Sequence, residues 1–168
     1  VKPVAANGNP EDPCMSDPTL TIQEISDRIR IHDLLTRYTV AIDTKDWNLL
    51  DTCFTPEAHV DYTASGGIKG PYPEVRKWLE KVLAAFPVTM HFISNTTVEL
   101  KGDTAKSRTY VINPMGLRKP DGGMQMFTVG AYYIDELVRT EAGWRIADRY
   151  EEQAYLDGAL PQAPAAGS

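Results

Sequence analysis

The chain has 168 residues, 17 Lys+Arg against 23 Asp+Glu for a formal net charge of −6, and an apolar share of 42%. That is the length of one domain, able to bury about 70% of its unfolded surface and so to fold without a disulfide scaffold or structural metal. The acidic balance, with no cluster of Lys or Arg, argues against a nucleic-acid partner, and no apolar run approaches the roughly 20 residues that cross a bilayer.

The first eighteen residues carry Pro3, Pro10, Pro13 and Pro18 with Gly8 and Asn9, a composition with little to bury, and read as an extended arm over 1–18. The folded unit is expected over 19–157, followed by a flexible Ala/Pro-rich tail, 158–168. Thr21 with Glu24 has the spacing of a capping box. Beyond it Ile31, Leu34, Leu35, Tyr38, Ala41 and Ile42 recur at three-and-four spacing, which predicts a long helix with one apolar stripe. Residues 46–54 predict a second, short helix with Trp47, Leu50 and Phe54 on its buried side. Residues 58–62 alternate briefly like a strand, and Gly66-Gly67 with Gly70-Pro71 marks a loop. Helical spacing returns from Tyr72 to Phe86 through Val75, Trp78, Leu79 and Val82 and stops before Pro87.

After Pro87 the periodicity changes from helical to alternating. Residues 88–100, 104–115, 124–138 and 144–155 are four long runs rich in Val, Ile, Thr, Tyr and Phe. Short turn-forming separators, Lys101-Gly102-Asp103 and Glu141-Ala142-Gly143 among them, predict hairpin connections. Helices first and antiparallel strands afterwards mean an α+β fold, its N-terminal helices packed on a curved sheet that encloses a pocket.

The stretches Ala41-Ile42-Asp43-Thr44-Lys45-Asp46-Trp47, Phe54-Thr55-Pro56-Glu57-Ala58, Val60-Asp61-Tyr62, Met90-His91-Phe92-Ile93 and Gly102-Asp103-Thr104-Ala105 occur in an order that resembles the SnoaL-like branch of the nuclear-transport-factor-2-like superfamily. Relatives there include scytalone dehydratase, bile-acid dehydratase and the lindane dehydrochlorinase. The resemblance covers about Ile22 to Glu152 and implies the family's cone-shaped α+β barrel. It also implies a catalytic pair at Asp43 and His91 and a substrate-contacting tyrosine at Tyr62. In scytalone dehydratase a tyrosine precedes the aspartate, where Ile42 stands here, and a second active-site histidine is replaced by the neighbourhood of Asn113 and Met115. Self-association as a dimer or trimer is a further implication, since relatives bury the uncovered sheet face between subunits.

The residues carry a consistent chemistry. Removing a proton from carbon beside a carbonyl needs a base active near neutrality, and an unperturbed histidine titrates at about 6.5. A carboxylate on one ring nitrogen fixes the tautomer and stabilises the imidazolium; Asp43 would serve, although it falls about 140° from the centre of the helix stripe at 100° per residue. Phenols suit an oxyanion in an apolar cavity, which singles out Tyr62 and then Tyr38. Alternation puts His91, Ile93 and Asn95 on one face and Val111, Asn113 and Met115 on another, making Asn95 and Asn113 candidate lining residues. Of the three histidines, His32 reads as a surface residue and His59 as a minor candidate beside Glu57 and Asp61.

Cys14 and Cys53 make neither a metal knuckle nor a disulfide framework, Cys53 lies on the predicted short helix without a histidine nearby in sequence, and recognised metal-ligand spacings and phosphate loops are absent from the sequence. The expectation is a cytoplasmic, cofactor-free and metal-free lyase of the dehydratase type, or an isomerase, acting on a small hydrophobic cyclic ketone of polyketide or steroid-like kind. Alternatives are a noncatalytic ligand carrier or scaffold, and a polyketide cyclase or epoxide hydrolase on the same fold.

Overall fold

The computed structural model describes residues 19–159. The expected arm, 1–18, and all of the expected tail except Gly158 and Ala159 lie outside the described residues.

Helix α1 spans Ile22–Thr44, and the capping box forms at its start. The Thr21 hydroxyl accepts the Glu24 N–H at 3.1 Å, and the Glu24 carboxylate accepts the Thr21 N–H at 2.7 Å. The helix stops where Lys45 turns left-handed, φ 58°. There the Lys45 ammonium donates to the Phe86 carbonyl at 2.8 Å, tying the end of α1 to the segment after α3 (Tyr72–Leu83). Between them α2 covers only Trp47–Asp51, capped by the Asp46 carboxylate on the Leu49 N–H. The expected second helix is therefore shorter. Phe54 is buried as predicted, but as the first residue of strand β1, Phe54–Asp61, which runs parallel to the last strand. The register of that pairing shifts between Phe54 and His59, around Pro56, which has no N–H to give a ladder.

The remaining strands are β2 (Lys69–Pro71), β3 (Val88–Thr89), β4 (Phe92–Lys101), β5 (Thr104–Arg118), β6 (Met124–Thr140) and β7 (Gly143–Asp157). They form one strongly curled, mostly antiparallel sheet in the order β2-β1-β7-β6-β5-β3, with β4 also on β5. The α+β class expected from the alternation and the helix-first order is the one observed. The core lies between the helices and the concave sheet face: Ile31, Leu34 and Leu35 of α1 and Val75 of α3 meet Ile146 and Leu137. Asp27 joins α1 to the sheet as well, taking both outer nitrogens of Arg139 at 2.6 Å and the Trp144 indole at 3.1 Å. Among the described residues no helix is long and apolar enough to cross a membrane.

The segment read as one strand from 88 to 100 is two strands interrupted at Met90-His91. The cause is local. The His91 N–H leaves the sheet ladder and donates to the Asp43 carboxylate at 2.8 Å.

Candidate active site

Asp43 lies on the last turn of α1, where the helix end passes the gap between β3 and β4. Its off-stripe position, which counted against it in the helix arithmetic, turns it away from the α1 core and toward that gap. One carboxylate oxygen takes the His91 peptide N–H, and the other sits 2.6 Å from the His91 Nδ1. Burial pushes the Asp43 carboxyl up, but its bonds to the His91 ring and backbone outweigh this and hold it below the ordinary carboxylate range. An ionised carboxylate at Nδ1 makes that nitrogen the N–H bearing one and leaves Nε2 as the proton acceptor. The His91 side chain is 6% exposed.

The ring borders a cavity of about 750 Å³ lined by α1, α3 and the inward faces of β5, β6 and β7. Its walls are mainly apolar, with Val111 and Met115 from β5, Phe127 and Val129 from β6, and Trp78 and Leu83 from α3. Tyr38 and Tyr62 meet in this wall, their hydroxyls 2.9 Å apart. The Tyr38 ring also packs edge-on to His91, centroids 6.4 Å apart. Burial raises both phenols well above their usual range, so each stays a neutral O–H. Asn113 faces the cavity between Val111 and Met115 as its alternation implied, and its Oδ1 is buried without a partner among the described residues.

Asn95 corrects the sequence reading. It is exposed and does not line the cavity. Its backbone is left-handed, φ 50°, within a register shift between Ser94 and Thr97. That bulge inverts the alternation, so the half-buried residues become Thr96, Val98 and Leu100. His59 also lies away from the cavity, on β1 with its ring 3.8 Å from Asp148, and His32 is exposed. Cys53 is a buried free thiol, pushed up by that burial, and no group of three or more metal-ligating side chains occurs among the described residues.

Four polar residues of the site escaped the sequence reading. Arg149 and Asp135 are both fully buried and joined by two hydrogen bonds, at 2.7 and 2.8 Å. Burial opposes the Arg149 charge, and the Asp135 carboxylate more than offsets it. The Arg149 Nη1 has no hydrogen-bond partner among the described residues; the guanidinium instead stacks on the rings of Tyr38 and Tyr133, each 4.1 Å away. Glu151, two residues further along β7, is 7% exposed and faces the cavity. Its carboxylate accepts a hydrogen bond from the hydroxyl of Ser65, which ends the 3-10 turn Thr63–Ser65. Gly67 seats that turn against the wall. A Cβ there would meet the Tyr62 Cβ at 2.8 Å, so only glycine permits the close approach.

With this arrangement in view, the comparisons with known proteins give the family. The SnoaL-like domain matches residues 23–150, and the chain belongs to that family. An uncharacterized protein of Mycobacterium tuberculosis is 44% identical over 136 residues, covering 81% of this chain and 91% of that one. The solved structure of a candidate aromatic ring hydroxylase from Novosphingobium aromaticivorans is 31% identical, with a TM-score of 0.73 over 81% of this chain and 95% of that one. A candidate scytalone dehydratase from the same species superposes with a TM-score of 0.75 at 18% identity, covering 89% and 99%. A hexachlorocyclohexane dehydrochlorinase of type 2 does so at 0.69 and 20%, covering 84% and 96%. At such identities the last two share the fold with this chain.

Proposed function

We propose that this protein is a cofactor-independent lyase of the dehydratase type, or an isomerase, acting on a hydrophobic cyclic ketone. The observation that carries this reading is the Asp43–His91 contact at 2.6 Å beside a largely apolar cavity of about 750 Å³. Such a volume suits a bicyclic or larger ring system. The His91 Nε2 would take the proton from carbon next to the carbonyl, and Asp43 would hold the tautomer and stabilise the imidazolium. The Tyr38 and Tyr62 hydroxyls, already paired at 2.9 Å, would turn a donor to the substrate oxygen as negative charge develops there. Asn113, with its unpaired amide oxygen, would meet a polar substituent on the ring. Solved structures named as a dehydratase and a dehydrochlorinase on the same fold agree with an elimination.

The test is deuterium exchange at the carbon beside the carbonyl on a panel of bicyclic ketones. Exchange that disappears in His91→Ala supports the reading. Tight binding without exchange overturns it and favours the second reading, a noncatalytic ligand carrier or scaffold on the same fold. The convex sheet face, where Phe92, Tyr110 and Ile112 are each about half exposed, would be covered in a homo-oligomer.

A further inference from the structure

The Asp43–His91 pair leaves a second titratable group of the cavity unused. Glu151 is buried, and among the described residues Ser65 supplies its hydrogen bond, to one oxygen only. It has no cation within ion-pairing distance among those residues. Arg149, the nearest positive charge in sequence, spends its Nε and Nη2 on Asp135. A carboxylate left unpaired in an apolar cavity is disfavoured, and the group takes up a proton instead. The direction agrees: burial raises the Glu151 carboxyl, and Ser65, His91 and Arg149 only partly counter it. The groups around it are His91 on the wall of the same cavity, Ser65 on the turn, Tyr133 paired with it on the neighbouring strand β6, and Tyr62 and Arg149 within electrostatic reach of it. Holding the Ser65 turn would need no ionisable group, because a glutamine carbonyl accepts from a hydroxyl equally well.

We propose that Glu151 is a second catalytic residue of the cavity, the general acid that protonates a departing hydroxyl, and that the substrate class is accordingly a cyclic β-hydroxy ketone. This rests on the reading of His91 as the base. In the step, the His91 Nε2 takes the proton from the carbon beside the carbonyl. The C–H electron pair becomes the new C=C bond, the C–O bond breaks, and the leaving oxygen takes the Glu151 proton and departs as water. The products are an enone and water, with imidazolium at His91 and carboxylate at Glu151. A proton passed from one to the other through that water restores both groups, so no outside acid or base is consumed.

Loss of chloride needs no proton, whereas loss of hydroxide does, and this separates the two roles. The experiment compares wild type, Glu151→Gln and His91→Ala on a bicyclic β-hydroxy ketone and its β-chloro counterpart, with exchange beside the carbonyl followed on the same compounds. In Glu151→Gln the ratio of hydroxide loss to chloride loss is expected to fall by about 100-fold or more, and Glu151→Asp should restore part of it. An unchanged ratio overturns the proposal while leaving His91 as base intact. Exchange that survives in His91→Ala sinks the underlying reading, and the ratio in Glu151→Gln is then read by itself. A measurement without substrate stands beside these: carbon-13 NMR of protein labelled at the glutamate carboxyl. A signal that Glu151→Gln removes and that titrates above a free glutamate carboxyl supports the role, and one that titrates with or below a free glutamate overturns it.

Discussion

One carboxylate holds His91 at two places, accepting the ring Nδ1–H at 2.6 Å and the peptide N–H at 2.8 Å. Asp43→Asn keeps the size of the side chain but presents an amide that can donate to Nδ1, so the ring loses its enforced tautomer. Ketone exchange should drop by about 100- to 10,000-fold while the circular dichroism spectrum stays that of the parent. Unchanged exchange would remove Asp43 from the mechanism.

Tyr38 and Tyr62 satisfy each other through their hydroxyls. Phenylalanine at either position strands the remaining hydroxyl and should cost about 1–3 kcal/mol in urea unfolding. The double replacement should cost less than the sum of the two. Both single variants should also lose turnover, and Tyr62→Phe with full activity would show that the oxygen is held elsewhere.

Arg149→Met leaves the Asp135 carboxylate buried and alone, and removes the cation between the Tyr38 and Tyr133 rings. We expect about 3–5 kcal/mol of destabilisation by chemical denaturation. Pairing it with Asp135→Leu should recover most of the loss, because no unpaired charge then remains. If the double variant is no better than the single one, the pair matters for more than mutual neutralisation.

Glu151 gives stability a distinct pH dependence. Its folded carboxyl titrates above the ordinary 4.5, so the folded state binds more protons than the unfolded one in that window and its stability falls as pH rises through it. Glu151→Gln removes this loss. Relative to wild type the variant should be stabilised above the folded titration point and not below pH 4.5. Asp43 acts in the opposite sense: held below 3.8, it contributes stability that is lost as pH falls through its folded value. Urea midpoints of Glu151→Gln and Asp43→Asn across pH 3 to 8 should therefore diverge from wild type with opposite slopes.

On the convex face Tyr110 and Ile112 point outward from β5, and Arg108 stacks on Tyr132 with its guanidinium 3.6 Å from the ring centre. Tyr110→Lys with Ile112→Lys should give monomers in sedimentation velocity where the parent self-associates. A parent that sediments as a monomer at high concentration would remove the homo-oligomer from the picture.

The fold was legible because its signals are periodic: the stripe from Ile31 to Ile42 keeps one face of a helix, and the alternation of β5 and β6 keeps one parity, each over a long run. The site was legible where strand parity held, as at Asn113, and illegible where a bulge changed parity. On β7 the buried Trp144 and Ile146 imply that Asp148 and Tyr150 follow them inward. The pairing of Leu137 with Ile146 but Glu136 with Asp148 skips Ala147, and the inward residues become Arg149 and Glu151. The same device turned Asn95 outward. A charged residue on a strand gives no hint of which side of a bulge it occupies, so the Arg149–Asp135 pair and Glu151 required coordinates.

Because both ends of the His91 grip come from a single carboxylate, the imidazole has no freedom to swing between alternative poses. A methylene beside a ketone presents two hydrogens that differ only in handedness, and a base anchored in this way approaches from one flank. Which of the two hydrogens the proposed base would remove then depends on which side of the ring a bound molecule turns toward the end of α1, a property written into the peptide bond of residue 91 as much as into its side chain.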